Sequence, residues 1–211
     1  MTVLNIIEIV RQVFPQIGET QLIKEIDNSQ KQFVEETGIY TVQSSLTGLT
    51  TAKVFTLPTG FIRLNRVNFL NSSGEVIHNP LMYNVGYGKI AFDDRRSTIT
   101  AIPDSISKIV LDYVKTPTTL TSIDSTLDIA EQFHGAIISK TMERLYARIP
   151  TRIIEGNSMV DWNAVSYWKG EYKDYIIKAK KYINKLDSSA FNILGYESAA
   201  TIPQTNIVDG T

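Results

Sequence analysis

The middle of this 211-residue chain carries the stretch Val54-Phe-Thr-Leu-Pro-Thr-Gly-Phe-Ile-Arg-Leu-Asn-Arg-Val-Asn-Phe69. Its β-branched and aromatic residues are typical of strands, whereas Leu57-Pro-Thr-Gly60 is typical of a tight turn. In the part after the turn, residues 61–69, neither face is purely apolar, which indicates a strand with a partner on each side. One predicted face holds Phe61, Arg63, Asn65, Val67 and Phe69, and the other holds Ile62, Leu64, Arg66 and Asn68. The stretch therefore predicts a β-hairpin within a sheet.

Two amphipathic helices are predicted before this stretch, over residues 1–38. Apolar residues at three- and four-residue spacing indicate that the first helix ends at Pro15 and that the second begins near Gly18. Gly38 is a natural end for the second helix, because glycine readily adopts the left-handed conformation. This helical pair is too small to bury its apolar faces alone, so we expect it to pack on the β region or on another chain.

A β-rich region of antiparallel strands is predicted over residues 39–117. Ser72-Ser-Gly74 indicates a hairpin turn into a short strand at 75–78. Further strands are expected where β-forming residues recur between turn residues. These strands are residues 89–92, 98–102 and 108–114.

Two long helices are predicted over residues 128–186. The third helix of the chain ends at Pro150, and the fourth covers residues 159–186 with apolar and aromatic residues on one stripe. Ser158 and Asp161 form a candidate capping pair at its start. The predicted fold class is therefore α+β, with residues 1–186 as one compact unit.

The last segment, residues 187–211, has no Lys or Arg and no sustained period. A segment of this composition predicts an extended C-terminal arm, and its apolar residues need a surface to lie on. The residues expected to contact a neighbouring chain are Phe191, Ile193, Leu194, Tyr196 and Ile202.

Composition narrows the class of protein. The chain is 43% hydrophobic and 20% charged, which is typical of a globular protein, and it has no Cys, which excludes disulfides and thiolate chemistry. The formal net charge of −1 gives no overall attraction to nucleic acid or to acidic membranes. The apolar N-terminus lacks a basic leader region, and no stretch is long enough to span a bilayer. We therefore expect a soluble protein that is made in a cytoplasm and has no membrane partner.

Signatures of catalysis are missing from the sequence. The two histidines, His78 and His134, have no metal-ligating residues at useful spacing, and neither a P-loop nor a nucleophile elbow is present. Asp93-Asp94 could bind a divalent ion, but the adjacent Arg95-Arg96 favours a charged turn. The sequence thus predicts a protein that is not an enzyme and that holds no cofactor and no metal.

The fourth helix offers a candidate nucleic-acid surface. Six lysines stand there against three acids, and the last four lysines follow the last acid. These four are Lys178, Lys180, Lys181 and Lys185. Two interpretations stay open: a DNA-binding face, or a solvated helix whose charges complement the helix dipole.

Four motifs together resemble the head-to-tail adaptor (connector) proteins of tailed bacteriophages. The second helix reads Glu19-Thr-Gln-Leu-Ile-Lys-Glu-Ile-Asp-Asn-Ser-Gln30, and the β segment reads Phe55-Thr-Leu-Pro-Thr-Gly-Phe-Ile-Arg-Leu-Asn-Arg-Val67. The two closing helices carry Met142-Glu-Arg-Leu-Tyr-Ala147 and Tyr172-Lys-Asp-Tyr-Ile-Ile-Lys-Ala-Lys180. The resemblance covers about residues 1–186 and lies in the order of the motifs more than in identity.

The resemblance implies a structural protein of the virion, assembled in the host cytoplasm. Identical subunits would form a ring, with twelve as the expected number, beneath the portal protein. The ring would extend the channel through which genomic DNA passes and would dock downstream tail proteins. The C-terminal arm would reach the portal or an adjacent subunit. Arg63, Arg66, Arg95 and Arg96 would contribute channel or interface contacts, unless they are ordinary strand-face and turn charges.

Overall fold

A computed structural model describes residues 2–78, 80–96, 98–154 and 157–193. For residues 152–154, 157 and 186–193 it describes the backbone only. The helices are α1 (Val3–Arg11), α2 (Glu19–Thr37), α3 (His134–Tyr146) and α4 (Trp162–Ile193), and a 3₁₀ turn, Glu131–Phe133, precedes α3. The strands are β1 (Thr41–Ser45), β2 (Val54–Thr56), β3 (Phe61–Leu70), β4 (Val76–Ile77), β5 (Met82–Gly86), β6 (Lys89–Asp93), β7 (Lys108–Lys115), β8 (Arg152–Ile154) and β9 (Asn157–Met159). The predicted α+β class, with helices on both sides of a β-rich middle, is confirmed.

The helix ends differ from the predictions in α1, α3 and α4. α3 ends at Tyr146, earlier than the predicted Pro150. The bounds of α2 agree with the prediction, and Gly38 has the left-handed φ of 75°. α1 ends at Arg11, earlier than the predicted Pro15, because the chain turns back through Phe14. Asp161 alone caps α4: its Oδ1 accepts hydrogen bonds from the amides of Asn163 and Ala164 at 3.1 and 3.2 Å, whereas Ser158 belongs to β9.

α4 also continues past its predicted end at residue 186, to Ile193. Residues 187–193 of the predicted arm are therefore helical. The rest of the arm, residues 194–211, lies outside the described residues.

The strands form three antiparallel sheets. The largest has the order β1-β7-β3-β4, the second has the order β2-β6-β5, and β8 pairs with β9. β4 follows the turn at Gly74, where φ is 81°, and pairs with the end of β3, so the hairpin predicted from Ser72-Ser-Gly74 is confirmed.

The hairpin predicted around Leu57-Pro-Thr-Gly60 is wrong. β2 pairs with β6 in the three-stranded sheet, whereas β3 pairs with β7 and β4 in the four-stranded sheet. The turn itself is present: Gly60 has a φ of 78°, and the Phe61 amide donates to the Pro58 carbonyl at 3.2 Å. It carries the chain from one sheet to the other, because the partner of each strand comes from a distant part of the sequence.

The predicted alternation along β3 is also wrong, because two β-bulges interrupt it. The pairing with β7 shifts by one residue between Phe61 and Arg63 and again between Leu64 and Arg66. Each extra residue reverses the face of the residues that follow. As a result Phe61, Leu64 and Val67 contact the same apolar cluster as Phe69, although Leu64 was predicted on the opposite face.

One predicted strand is absent, and three strands, β5, β8 and β9, were not predicted. Residues 98–102 do not form a strand in the described part of the chain; they pack irregularly, and the Ile102 amide donates to the Leu49 carbonyl at 3.1 Å. β5 covers residues for which the sequence predicted no strand. It joins β6 through the two-residue turn Tyr87-Gly88, whose φ angles of 51° and 70° are both positive, as a type I′ hairpin requires.

The apolar residues form two separate cores. The inter-sheet core lies between the two larger sheets, where Phe69 of β3 meets Phe92 of β6 with ring centroids 5.7 Å apart. The helical core is built by all four helices and by the segment 116–130. Val114 at the end of β7 is the fully buried strand residue of the helical core, so the helices meet the four-stranded sheet at one end.

Segment 116–130 has little secondary structure, and buried polar side chains of α2 hold it in place. Asp27 Oδ1 accepts the Leu120 amide at 3.0 Å, and Gln30 Oε1 accepts the Asp128 amide at 3.0 Å. Lys31 balances the buried charge of Asp27 at 2.7 Å. The segment in turn supplies carbonyl groups to the first residues of α1.

His134 anchors the end of this segment to α3. It is buried, and its Nε2 lies 3.0 Å from the Ile129 carbonyl oxygen, so Nε2 must carry the proton that it donates. Burial lowers the pKa of His134 below its ordinary value of 6.5, and the Ile129 carbonyl opposes this effect.

This pKa shift makes part of the stability dependent on pH. Above about pH 6.5 the ring is neutral in both the folded and the unfolded state and contributes no slope. Below that pH the unfolded state takes up a proton that the native state resists, so the free energy of unfolding falls. We expect His134→Gln to reduce the loss of stability between about pH 7 and pH 5, as measured by urea unfolding. The matched control is the exposed His78→Gln, and an equal reduction in that variant would contradict the assignment.

Candidate interaction surfaces

Arg63 caps the C-terminus of α2. Its Nη2 donates to the Thr37 carbonyl oxygen at 3.2 Å, which satisfies one of the carbonyl groups that a helix end leaves unpaired. Gly38 makes room for this contact, since a Cβ there would lie 2.0 Å from Arg63 Nη2. The guanidinium is thus engaged within its own subunit.

The other three arginines of the predicted channel set lie elsewhere. Arg66 is half-buried in β3 and stands opposite Asp112 of β7 in the sheet register, where opposite charges are favourable. Arg95 and Arg96 are exposed in the bend after β6, and the Arg96 amide donates to Asp94 Oδ1 at 3.0 Å. The four residues therefore come from β3 and from the bend after β6, and they do not lie on one element.

Two glycine substitutions should separate backbone strain from the loss of the Arg63 cap. Gly38 and Gly74 have similar positive φ angles, 75° and 81°, but a Cβ at Gly74 meets nothing within 4 Å. We expect Gly74→Ala to lower the free energy of unfolding by about 1–2 kcal/mol through strain alone. Gly38→Ala should cost about 1 kcal/mol more because it also displaces Arg63. Urea unfolding of both variants measures the difference, and equal losses would show that the cap contributes nothing.

All four lysines of the candidate nucleic-acid surface are exposed on α4. At 3.6 residues per turn, Lys178, Lys181 and Lys185 share one face and Lys180 lies off it. The ammonium group of Lys178 lies 5.0 Å from the centroid of the Tyr175 ring, and Asp174 precedes Lys178 by four residues. The lysines thus form a basic stripe of three, next to an acid at its start.

Beyond its middle, α4 is held only lightly by the body of the protein. Among its described side chains, 162–185, the last buried residue is Ala179. Tyr182 still touches Phe133, with ring centroids 5.6 Å apart. Of the predicted arm contacts, Phe191 and Ile193 lie in the helical end of α4, with side chains outside the description. Leu194, Tyr196 and Ile202 lie outside the described residues.

β5 provides a candidate surface that sequence reasoning missed. It is an edge strand of the three-stranded sheet, and all five of its residues are exposed, including Met82, Tyr83 and Val85. Tyr87 at the hairpin tip is fully exposed in a backbone conformation that a non-glycine residue rarely adopts. Natural edge strands usually carry charges, Pro or bulges that block pairing, and β5 has no charged residue and no Pro. The signal was present in the apolar residues between Met82 and Tyr87, but the two glycines concealed the strand.

The buried polar groups between the helices join elements to one another. Glu25 of α2 is buried and binds Arg144 Nε at 2.8 Å together with Arg148. Thr141 of α3 donates to Ser29 of α2 at 3.0 Å. The buried carboxylate of Glu25 is therefore paired with cationic side chains. Without such partners, a buried charge would destabilise the fold.

Tyr172 of α4 is the strongest electrostatic outlier of this interior. Burial first, and then the negative charge of Glu36, raise the pKa of its hydroxyl far above the usual value. Hydrogen bonding to the Glu36 carboxylate contributes in the same direction, and the Lys140 ammonium lies 4.9 Å from the ring centroid. A neutral phenol in this position packs against the helices rather than acting as a base.

The described residues contain neither a metal-binding cluster nor a membrane-spanning helix. Within them no group of three or more His, Cys, Asp or Glu side chains is placed to hold a metal ion. None of the described helices combines the length and the apolar character needed to cross a bilayer.

Comparison with known proteins gives no assignment: the chain matches no family model, and no curated protein is significantly similar to it.

Proposed function

We propose that this chain is a structural subunit of a virion, which forms a head-to-tail adaptor ring beneath the portal and has no enzymatic activity. The proposal rests on the motif resemblance together with the order of elements. A helical pair, a β-rich middle and a second helical pair follow one another as the resemblance requires.

The observation that carries the proposal is the exposure of several large apolar side chains on two elements, the edge strand β5 and the helix α4. Met82, Tyr83, Val85 and Tyr87 lie on or beside the edge strand β5, and Trp162, Tyr167 and Ile177 lie on α4. Exposed apolar patches of this kind mark protein–protein contact sites. A ring subunit needs such surfaces on two sides, because it contacts one neighbour through each.

The test of this proposal is binding to the portal protein encoded in the same genome. We expect the purified chain to bind an assembled portal ring in a one-to-one ratio of subunits and to extend its channel in electron micrographs. Because rings of this kind can require the portal as a template, the mass of the complex should be measured as well as that of the chain alone. A folded chain that fails to bind the portal would contradict the proposal.

Deletion of residues 188–211 should abolish portal attachment and leave the body folded. We expect the body to stay folded because Ala179 is the last described residue of the helical core, and it precedes the deleted segment. Circular dichroism and thermal unfolding measure the fold, and co-sedimentation with portal rings measures attachment. A second deletion, of residues 194–211, keeps α4 intact to Ile193 and shows whether the helical end or the following residues make the contact. Unchanged attachment of the longer deletion would sink the proposed role of the arm.

The alternative function is DNA binding through the stripe formed by Lys178, Lys181 and Lys185, which is exposed beyond the last buried turn of α4. A DNA-binding monomer would lose affinity steeply with salt, with a slope of about 0.9 per phosphate contact. Replacing the three lysines by Gln would reduce that slope. An adaptor that lets DNA slide through its channel should show weak binding and little change in the variant.

A further inference from the structure

α4 contains a glycine for which its own subunit provides no reason. Gly170 lies in the middle of the helix and is exposed, and a Cβ built there meets nothing within 4 Å. Glycine inside a helix is unfavourable relative to alanine. Gly135, in the first turn of α3, has a clear reason, because a Cβ there would lie 2.2 Å from the Tyr175 hydroxyl. Position 170 therefore suggests a close approach by something outside the subunit.

The residues around Gly170 form an exposed notch on the outer face of α4. Val165, Tyr172 and Ala179 mark the buried face, and Gly170 lies on the opposite side. Ser166, one turn before Gly170, is small and exposed. Large apolar side chains border the notch: Trp162, Tyr167 and Ile177 are 66%, 60% and 51% exposed. Small residues let a second helix approach closely, and the bordering side chains can then pack against it.

Charge decides which kind of helix fits the notch. Residues 169–185 of α4 contain six lysines and two acids, so two copies of this face would repel each other. α2 presents the opposite charge at a groove lined by Asn28, Lys31, Gln32, Glu35, Glu36 and Arg144. Lys31 is paired with Asp27, and Arg144 and Arg148 share Glu25. In the described part of the chain no ion pair neutralises the exposed Glu35 or Glu36, so the groove is acidic.

We propose that the Gly170 notch of one subunit docks on the α2 groove of a second copy of this chain. The contact uses two different surfaces and is therefore head-to-tail, and such a contact closes into a ring when the rotation between subunits allows it. The inference rests on the proposed ring and specifies its lateral interface. The lysines of α4 then face Glu35 and Glu36 of the neighbour instead of DNA.

Cross-linking of single-cysteine variants tests this contact directly, because the natural chain has no Cys. Ser166→Cys places a thiol in the notch, and Glu35→Cys places one in the groove. We expect a mixture of the two variants to form a disulfide-linked dimer under mild oxidation, and each variant alone to form none. Ser72→Cys, on the exposed β3–β4 turn, replaces Ser166→Cys in the control mixture and should give no product.

A second variant tests the close approach itself. Gly170→Leu should raise the midpoint of thermal unfolding of the dilute protein, since leucine is a better helix former. In the Ser166→Cys background it should reduce the cross-linking yield by about tenfold or more, because the added side chain fills the notch. Glu8→Leu on the exposed face of α1 is the matched control and should leave the yield unchanged.

The possible results separate this inference from the proposed function. A dimer formed by Ser166→Cys alone would show symmetric pairing of α4 and would overturn the inference, as would an unchanged yield in Gly170→Leu. Portal binding without the mixed cross-link, either free or on the portal, would overturn the lateral interface and leave the adaptor role standing. The mixed cross-link without portal binding would support the interface and count against the adaptor role.

Discussion

The polar stripe on α2 is the constraint on which the helical half of the molecule depends. α2 is buried along most of its length, yet Glu25, Asp27, Ser29 and Gln30 lie inside. Each has a distinct partner in α3 or in segment 116–130, so the stripe fixes which elements surround α2 and in what register. An apolar stripe would bury as much surface without that selectivity, since apolar contacts are not directional. The buried groups thus specify an arrangement that hydrophobic packing alone would leave open.

The β half is organised by pairings between distant residues. β7 lies between β1 and β3 and contributes to both cores, while β6 lies between β2 and β5. Gly60 lets the chain leave one sheet and enter the other, and its carbonyl accepts the Thr116 amide at 2.7 Å. The crossover is therefore bonded to the end of β7, close to the place where the helical core begins.

The sequence predicted the features that depend on a few adjacent residues. The bounds of α2 could be read from Gly18 and Gly38, because capping depends on a few adjacent residues. The sequence did not reveal the partner of β2, since β6 lies more than thirty residues further along the chain. The face of Leu64 was lost for a related reason: a bulge arises from the fit of two strands, and the sequence of one strand does not show it.

The same distinction, between features set by adjacent residues and features set by distant ones, applies to the candidate surfaces. The exposed lysines of α4 were found because a charged helical face is visible in periodicity. The role of Arg63 was not readable, since its partner is a backbone carbonyl of another element. β5 was missed because Gly86 and Gly88, which flank Tyr87 at the hairpin turn, are typical of loops in sequence.

The separation of the two cores has a mechanical consequence. The helical core and the inter-sheet core meet near Val114 and Tyr40, where the Lys115 amide donates to the Tyr40 carbonyl at 3.0 Å. The Arg63–Thr37 and Thr116–Gly60 hydrogen bonds also cross this junction, so a force applied to one half is transmitted through a small number of contacts near the ends of β1, β3 and β7. The two halves can therefore open or tilt as separate cooperative units, each with its own apolar interior. Such a joint would act as a compliant coupling between two stiff bodies.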